Sequence, residues 1–230
     1  MRARILIGAL VVGMVAFAAQ DVKLERKYKE GDKDTYKVSM QLTMNGGTAN
    51  VNLVSTLTVK KVYDNGEADV ETVPGDLKID FNGQTMTQPA PAAHTERFTK
   101  QGMPLVEKVK DKNRAQMNVA FMRYAVMLGE KGMRVGETIP VDYTDRLDSA
   151  NKVKGTLKLE SFEKGIAKLV STCEAWTEDT GAKPMKMVYT IWFDADAGKL
   201  SKLVGTVSNV MGPQGLPIDA VQISMERVKL

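Results

Sequence analysis

TYKVSMQLTMNGGTANVNLVSTLTVKKVYDNGEADVETV, Thr35 to Val73, decides the fold class. Tyr36, Val38, Met40, Leu42 and Met44 are apolar, and Lys37, Ser39, Gln41 and Thr43 lie between them. Side chains alternate faces along a strand, so this run predicts a strand with one dry and one wet face. Asn45-Gly46-Gly47 then signals a turn. The next run keeps Val51, Leu53, Leu57, Val59 and Tyr63 on one side. Asp64-Asn65-Gly66 turns the chain again, and EADVETV returns.

The same grammar runs outward from this stretch. LKIDF meets Asn82-Gly83, another hairpin signal. ETIPVDY, KVKGTLKLESF, GIAKLVSTCEAW, MVYTIWF, KLSKLVGTVS and AVQISMERVKL all alternate, and Pro140 places ETIPVDY at a sheet edge. GDKDTYKV is echoed by GETIPVDY. STLTVKKVYDNGEADVETV is echoed by GTLKLESFEKGIAKLVST when one turn residue is skipped. The expected fold is therefore mainly β. Curved antiparallel sheet would be built from two related meander halves, with one α-helix packed on it.

That helix is predicted in the middle of the chain. QPAPAAH, Gln88 to His94, reads as a loop by its Pro and Ala content. Asn113 is a candidate N-cap, and Met117, Phe121, Tyr124 and Leu128 follow at helical spacing. These four are the candidate apolar ligand-facing residues. The expected organisation is a signal peptide over residues 1–18 and a single β-rich domain over 19–230. Its first half covers about 19–87, the loop and helix about 88–132, and the second half about 133–230.

The signal peptide is read from MRARILIGALVVGMVAFAAQ. Arg2 and Arg4 precede an apolar run, and Ala16-Phe17-Ala18 has the small-x-small cleavage pattern. The run is shorter than the roughly 20 apolar residues a spanning helix needs. The expectation is an exported protein, periplasmic or extracellular, that is not an integral membrane protein after cleavage. Losing two of its 32 basic residues leaves 30 against 28 acidic ones. With no basic block, a nucleic-acid partner is not expected. The one cysteine, Cys173, cannot form an internal disulfide and reads as a small buried hydrophobe.

Catalytic signatures are sparse. His94 is the only histidine, and no Gly-x-Ser-x-Gly elbow or phosphate-cradling glycine loop occurs. Zinc draws mainly on Cys and His, and one of each does not build a cage. Asp194-Ala195-Asp196-Ala197-Gly198 resembles the start of a calcium loop. Counting from Asp194, however, the glycine position holds Lys199 and the twelfth position Gly205. The stretch is read as a turn between two strands. Glu67/Asp69 and Asp194/Asp196 read as solubilising charge. No enzyme activity, cofactor or metal is expected.

LERKYKEGDKDTYKV, RVGETIPVDY and WFDADAGKLSKLVGTVS resemble segments of a loose group of uncharacterised exported bacterial β-rich proteins. The strand–turn–strand pattern also resembles, faintly, the periplasmic lipoprotein-carrier superfamily. That resemblance implies a curved sheet holding acyl chains against helices, and it carries over no functional residue. Together with a chain of 14 methionines, whose flexible side chains suit adaptable apolar surfaces, it leads to the expected function. This is an exported non-catalytic binding module holding an apolar ligand, lipid or lipidated partner such as a lipoprotein. The alternative is a structural or protein-interaction module of the cell envelope with no ligand pocket.

Overall fold

In β1 (Lys33–Met44), Tyr36, Val38, Met40 and Leu42 are buried, while Lys37, Ser39, Gln41 and Thr43 are exposed. The alternation therefore becomes one packed and one wet face, as a half-buried strand requires. The computed structural model describes residues 21–44, 47–105, 124–176, 183–211 and 217–228. β2 (Gly47–Val62), β3 (Ala68–Pro74), β4 (Leu77–Phe81), β5 (Gln84–Gln88), β6 (His94–Phe98) and β7 (Pro104–Leu105) follow. The later strands are β8 (Thr138–Thr144), β9 (Lys152–Glu163), β10 (Ile166–Trp176), β11 (Met185–Asp194), β12 (Lys199–Met211) and β13 (Pro217–Val228). The tight hairpins carry positive φ at both central residues, 51° and 78° at Asn82-Gly83 and 50° and 78° at Lys164-Gly165. This is the twist-matched turn those residues favour.

The strands form one sheet in the order β7-β6-β3-β2-β1-β13-β12-β11-β10-β9-β8, with β4 beside β2 and β5 beside β4. Every named pairing is antiparallel. β1 and β13 join the two ends of the chain along nine register pairs, from Thr35↔Val228 to Thr43↔Ala220. The sheet stays open, because β7 and β8 share no ladder among the described residues. It nevertheless curls until those ends meet through side chains. The Tyr143 hydroxyl on β8 donates to the Pro104 carbonyl on β7 at 2.7 Å. Beyond β8, Arg146 Nη2 reaches Glu67 Oε2, next to β3, at 2.7 Å.

Inside the curl lie residues 124–128 and Met133, with Val22 of the 21–31 segment paired to Met133. Tyr124, Met127, Leu128 and Met133 are all buried. The Leu128 N–H donates to the Gln101 carbonyl, and Val22 and Met133 exchange both backbone hydrogen bonds. This corrects the expected helix over its described part. Residues 113–123, with Met117 and Phe121, lie outside the described residues, but Tyr124 to Leu128 form a turn and then irregular chain. Ala125, Val126, Met127 and Leu128 are consecutively buried. Four consecutive buried residues present no amphipathic period, and the Leu128 N–H bonds across to Gln101 rather than back to Tyr124. Among the described residues no helix occurs, and none is long and apolar enough to cross a membrane. His94 begins β6, opposite Thr72, instead of lying in the Pro/Ala loop.

The echo noted in the sequence has a counterpart in the hydrogen bonds. Gly31 donates to the Val59 carbonyl and Val59 donates to Asp32; Gly136 donates to Leu159 and Leu159 donates to Glu137. Gly31 and Gly136 have φ of 84° and 90°, values that favour glycine. Both following hairpins, β2–β3 and β9–β10, carry a register shift, which leaves Lys60 and Glu160 as the extra residues. Each makes an ion pair to the opposing strand, with the charges exchanged: Lys60–Glu71 at 3.2 Å and Lys168–Glu160 at 2.8 Å.

Two inward-facing glycines leave room for the residues directly opposite them. Gly155 faces Cys173 and Gly205 faces Tyr189. A Cβ on Gly205 would overlap the Val188 carbonyl and press on the Tyr189 ring. Gly205→Ala is expected to lower unfolding stability by about 1–3 kcal/mol, as overpacking of a filled interior does. A urea melt indistinguishable from wild type would contradict that close fit.

Candidate functional site

The two candidate ligand-facing residues that can be placed, Tyr124 and Leu128, are each 2% exposed and belong to the central cluster. The methionines that suggested an adaptable groove are packed as well: Met40, Met127, Met133, Met185 and Met187 are no more than 4% exposed. The described part of the inner face is thus a core, with Tyr189, Phe193 and Ile191 fully buried beside them.

The paired carboxylates do not converge. Glu67 is engaged by Arg146, whereas Asp69 accepts from Arg97 Nε and from the Tyr63 hydroxyl, both at 2.7 Å. Arg97 also stacks 4.2 Å from the Tyr63 ring centroid. Its hydrogen bond is the main cause that holds the Asp69 carboxyl below its ordinary value. Asp194 closes the DADAG turn by accepting from the Ala197 N–H at 2.8 Å and lies 3.4 Å from Arg227. The turn reading therefore holds, with β11 and β12 on either side. Among the described residues, no three His, Cys, Asp or Glu side chains gather as a metal cage.

Buried tyrosines give the fold an alkaline limit. Burial pushes the Tyr36 hydroxyl up to about 12, and it also raises Tyr28, Tyr143 and Tyr189. A group raised in the folded state lends stability that is complete below its unfolded value near 10 and is lost as pH climbs through the folded value. Between about pH 10 and 12, β-sheet circular dichroism should therefore fall together with the rise of tyrosinate absorbance. Tyrosinate appearing near pH 10 with the sheet signal intact would contradict the burial.

The outer face offers a different surface. Register aligns its side chains in rungs perpendicular to the strands. One rung runs Asn50, Gln41, Gln222, Thr206, Val188, Thr172 and Thr156, from β2 to β9. Its neighbour runs Asn52, Ser39, Ser224, Val204, Thr190 and Val170. Neither contains a charge over these strands, and charged residues close their ends: Asp80 and Lys78 on β4, and Lys158 on β9. Seven strands at about 4.8 Å spacing make the first rung about 29 Å long. Charged rungs border this band. One contains Lys37, Glu226 and Lys202; the other contains Lys186, Glu174, Lys154 and Asp142. Between β2 and β12 the band forms a shallow open groove of about 630 Å³, where Gln41, Asn50, Asn52 and Gln222 stand beside Val204 and Gly205. Within it Ser39 Oγ donates to Asn52 Oδ1 at 2.7 Å, and Gln41 Nε2 donates to Asn50 Oδ1 at 3.2 Å.

No family model, curated protein or solved structure matches this chain. The functional reading rests on this geometry and on the sequence. Sequence reasoning took the wet positions of these strands as ordinary solvated surface. The missed signal was the distribution of charge along them. In β1, Lys37 gives way to Ser39, Gln41 and Thr43, and in β13, Glu226 is preceded by Gln222 and Ser224. Only the register shows that these neutral stretches lie side by side.

Proposed function

We propose that this protein is an exported, non-catalytic interaction module of the cell envelope. Its working surface is the outer face of the sheet, and its partner is a neutral glycan strand laid across the uncharged rungs. The observation that carries the reading is the neutral band itself, in a chain with 26% charged residues. Amides and hydroxyls both donate and accept, as sugar hydroxyls do. No charge needs to be stripped of water when such a partner docks, and that desolvation is the cost most easily left uncompensated. An open groove suits a polymer that enters and leaves better than it suits a small enclosed ligand. Trp192 and Lys202 stand in the bordering rung, with the ammonium 5.5 Å from the ring centroid. The indole adds an apolar plate at the margin, with the Lys202 ammonium over its ring. Export is supported by the basic start, apolar run and Ala16-Phe17-Ala18 pattern.

An apolar ligand entering the described part of the curl would instead have to displace the buried Tyr124–Leu128 stretch. The test is cosedimentation with insoluble cellulose, chitin and β-glucan. Wild type should be retained by at least one of them. Gln41→Lys combined with Thr206→Lys, both exposed, should weaken retention at least tenfold while leaving the melting curve in place, as surface changes usually do. Failure of wild type to bind any neutral glycan, or equal retention of the double variant, would defeat the reading.

A further inference from the structure

Gln84-Thr85-Met86-Thr87-Gln88, the whole of β5, reads the same in both directions about Met86. The strand is hydrogen-bonded to β4 on one side, and among the described residues no strand lies on the other. Every residue of β5 is exposed, Met86 at 47%. The two ends of the main strand order are blunted: β7 is a two-residue strand, and β8 carries Pro140 and Asp142. β5 has no charge, proline or bulge, the devices that keep sheet edges from pairing.

The hairpin decides which backbone groups face outward. Asn82-Gly83 is a two-residue turn, so Phe81 and Gln84 exchange the first pair of ladder bonds. The bonds alternate from there. Met86 and Gln88 also turn their backbone groups to β4, and Thr85 and Thr87 present theirs to the open edge. We propose that this edge pairs with the same edge of a second copy, antiparallel about a twofold axis at Met86. Thr85 then exchanges backbone hydrogen bonds with the partner's Thr87, using the very groups that face outward. Met86 meets the partner's Met86 as a non-hydrogen-bonded pair, where side chains stand closest. Because the strand is a palindrome, Thr meets Thr, Gln meets Gln and Met meets Met, as a self-complementary interface requires. Met86 lies opposite Ile79, on the face that packs toward the core, so the paired methionines cover apolar surface. On the other face Asp80 neighbours Thr85 and Lys78 neighbours Thr87. Each rung across the axis is therefore flanked by opposite charges. A five-residue edge is a small interface, under about 1,200 Å² in total, and suits a weak dimer. The pairing goes beyond the outer-face reading, and either can fail alone.

Cross-linking tests the register. Cys173 is buried, so an added surface cysteine reports alone. Met86→Cys sets two sulfurs across the axis within reach of a disulfide and should give a linked dimer under mild oxidation. Gln84→Cys sets them about 13 Å apart by strand rise and should stay monomeric. Sedimentation equilibrium of wild type should show a mass that climbs toward twice the monomer's with concentration. Thr87→Pro removes an outward N–H while sparing the β4 ladder, and Met86→Lys sets like charges across the axis. Each should weaken association roughly tenfold or more with the melting curve in place. Wild type that stays monomeric at every concentration, equal linking of the two cysteine variants, or undiminished association of Thr87→Pro and Met86→Lys would overturn the proposal.

Discussion

Phe193→Ala is expected to lower the unfolding free energy by about 3–5 kcal/mol, the range for truncating a fully buried phenylalanine. Phe193 has no exposed surface and lies on β11, opposite Ala167 and Leu200. The informative control sits three residues away along the same strand. Thr190 faces outward in the neutral band, so Thr190→Ala should change stability by no more than about 0.5 kcal/mol. Urea melts of the pair test the inner and outer assignment of β11. A larger loss at Thr190 than at Phe193 would mean that the sheet's faces had been exchanged, as a one-residue slip in register does.

Tyr124→Ala is the second large expected effect, again about 3–5 kcal/mol by the same cavity argument. It separates two roles for residues 124–133. As part of the core, this segment unfolds with the sheet, so truncation shifts a single cooperative transition to lower denaturant with its slope unchanged. As a removable cover over an apolar groove, it would contribute little to that transition, and truncation would expose binding surface. Tyr124 and Leu128 are 2% exposed, and the segment is hydrogen-bonded to both Gln101 and Val22. The first outcome follows. An unchanged midpoint with new fluorescence of an apolar dye would indicate a cover.

The local grammar of this fold was legible. Period-two alternation and Asn-Gly or Lys-Gly turns located the hairpins around residues 82–83 and 164–165. Those signals depend on neighbours in sequence. Pro140 was likewise read as an edge marker, and β8 is an end strand. What escaped the sequence depends on distant partners. Pairing of β1 with β13 joins segments almost 200 residues apart, and the contact of Tyr143 with Pro104 depends on the curl of the whole sheet. At Tyr124 and Leu128, helical spacing misled because every residue between them is apolar or small and all of them are buried. Periodicity cannot assign a face where no face is wet. The neutral band was hidden for a related reason. Asn50, Gln41, Gln222 and Thr206 are unremarkable singly and become a surface only in register.

The central proposal is that the working face is the outer one, the described part of the inner face being packed core. Titration of wild-type protein with a fluorescent fatty acid, followed by competition with unlabelled fatty acid, tests this most directly. The predicted result is a weak, linear, non-competable signal. Saturable one-site binding that unlabelled fatty acid displaces, while Gln41→Lys/Thr206→Lys binds equally well, would place the ligand inside the curl and contradict the account.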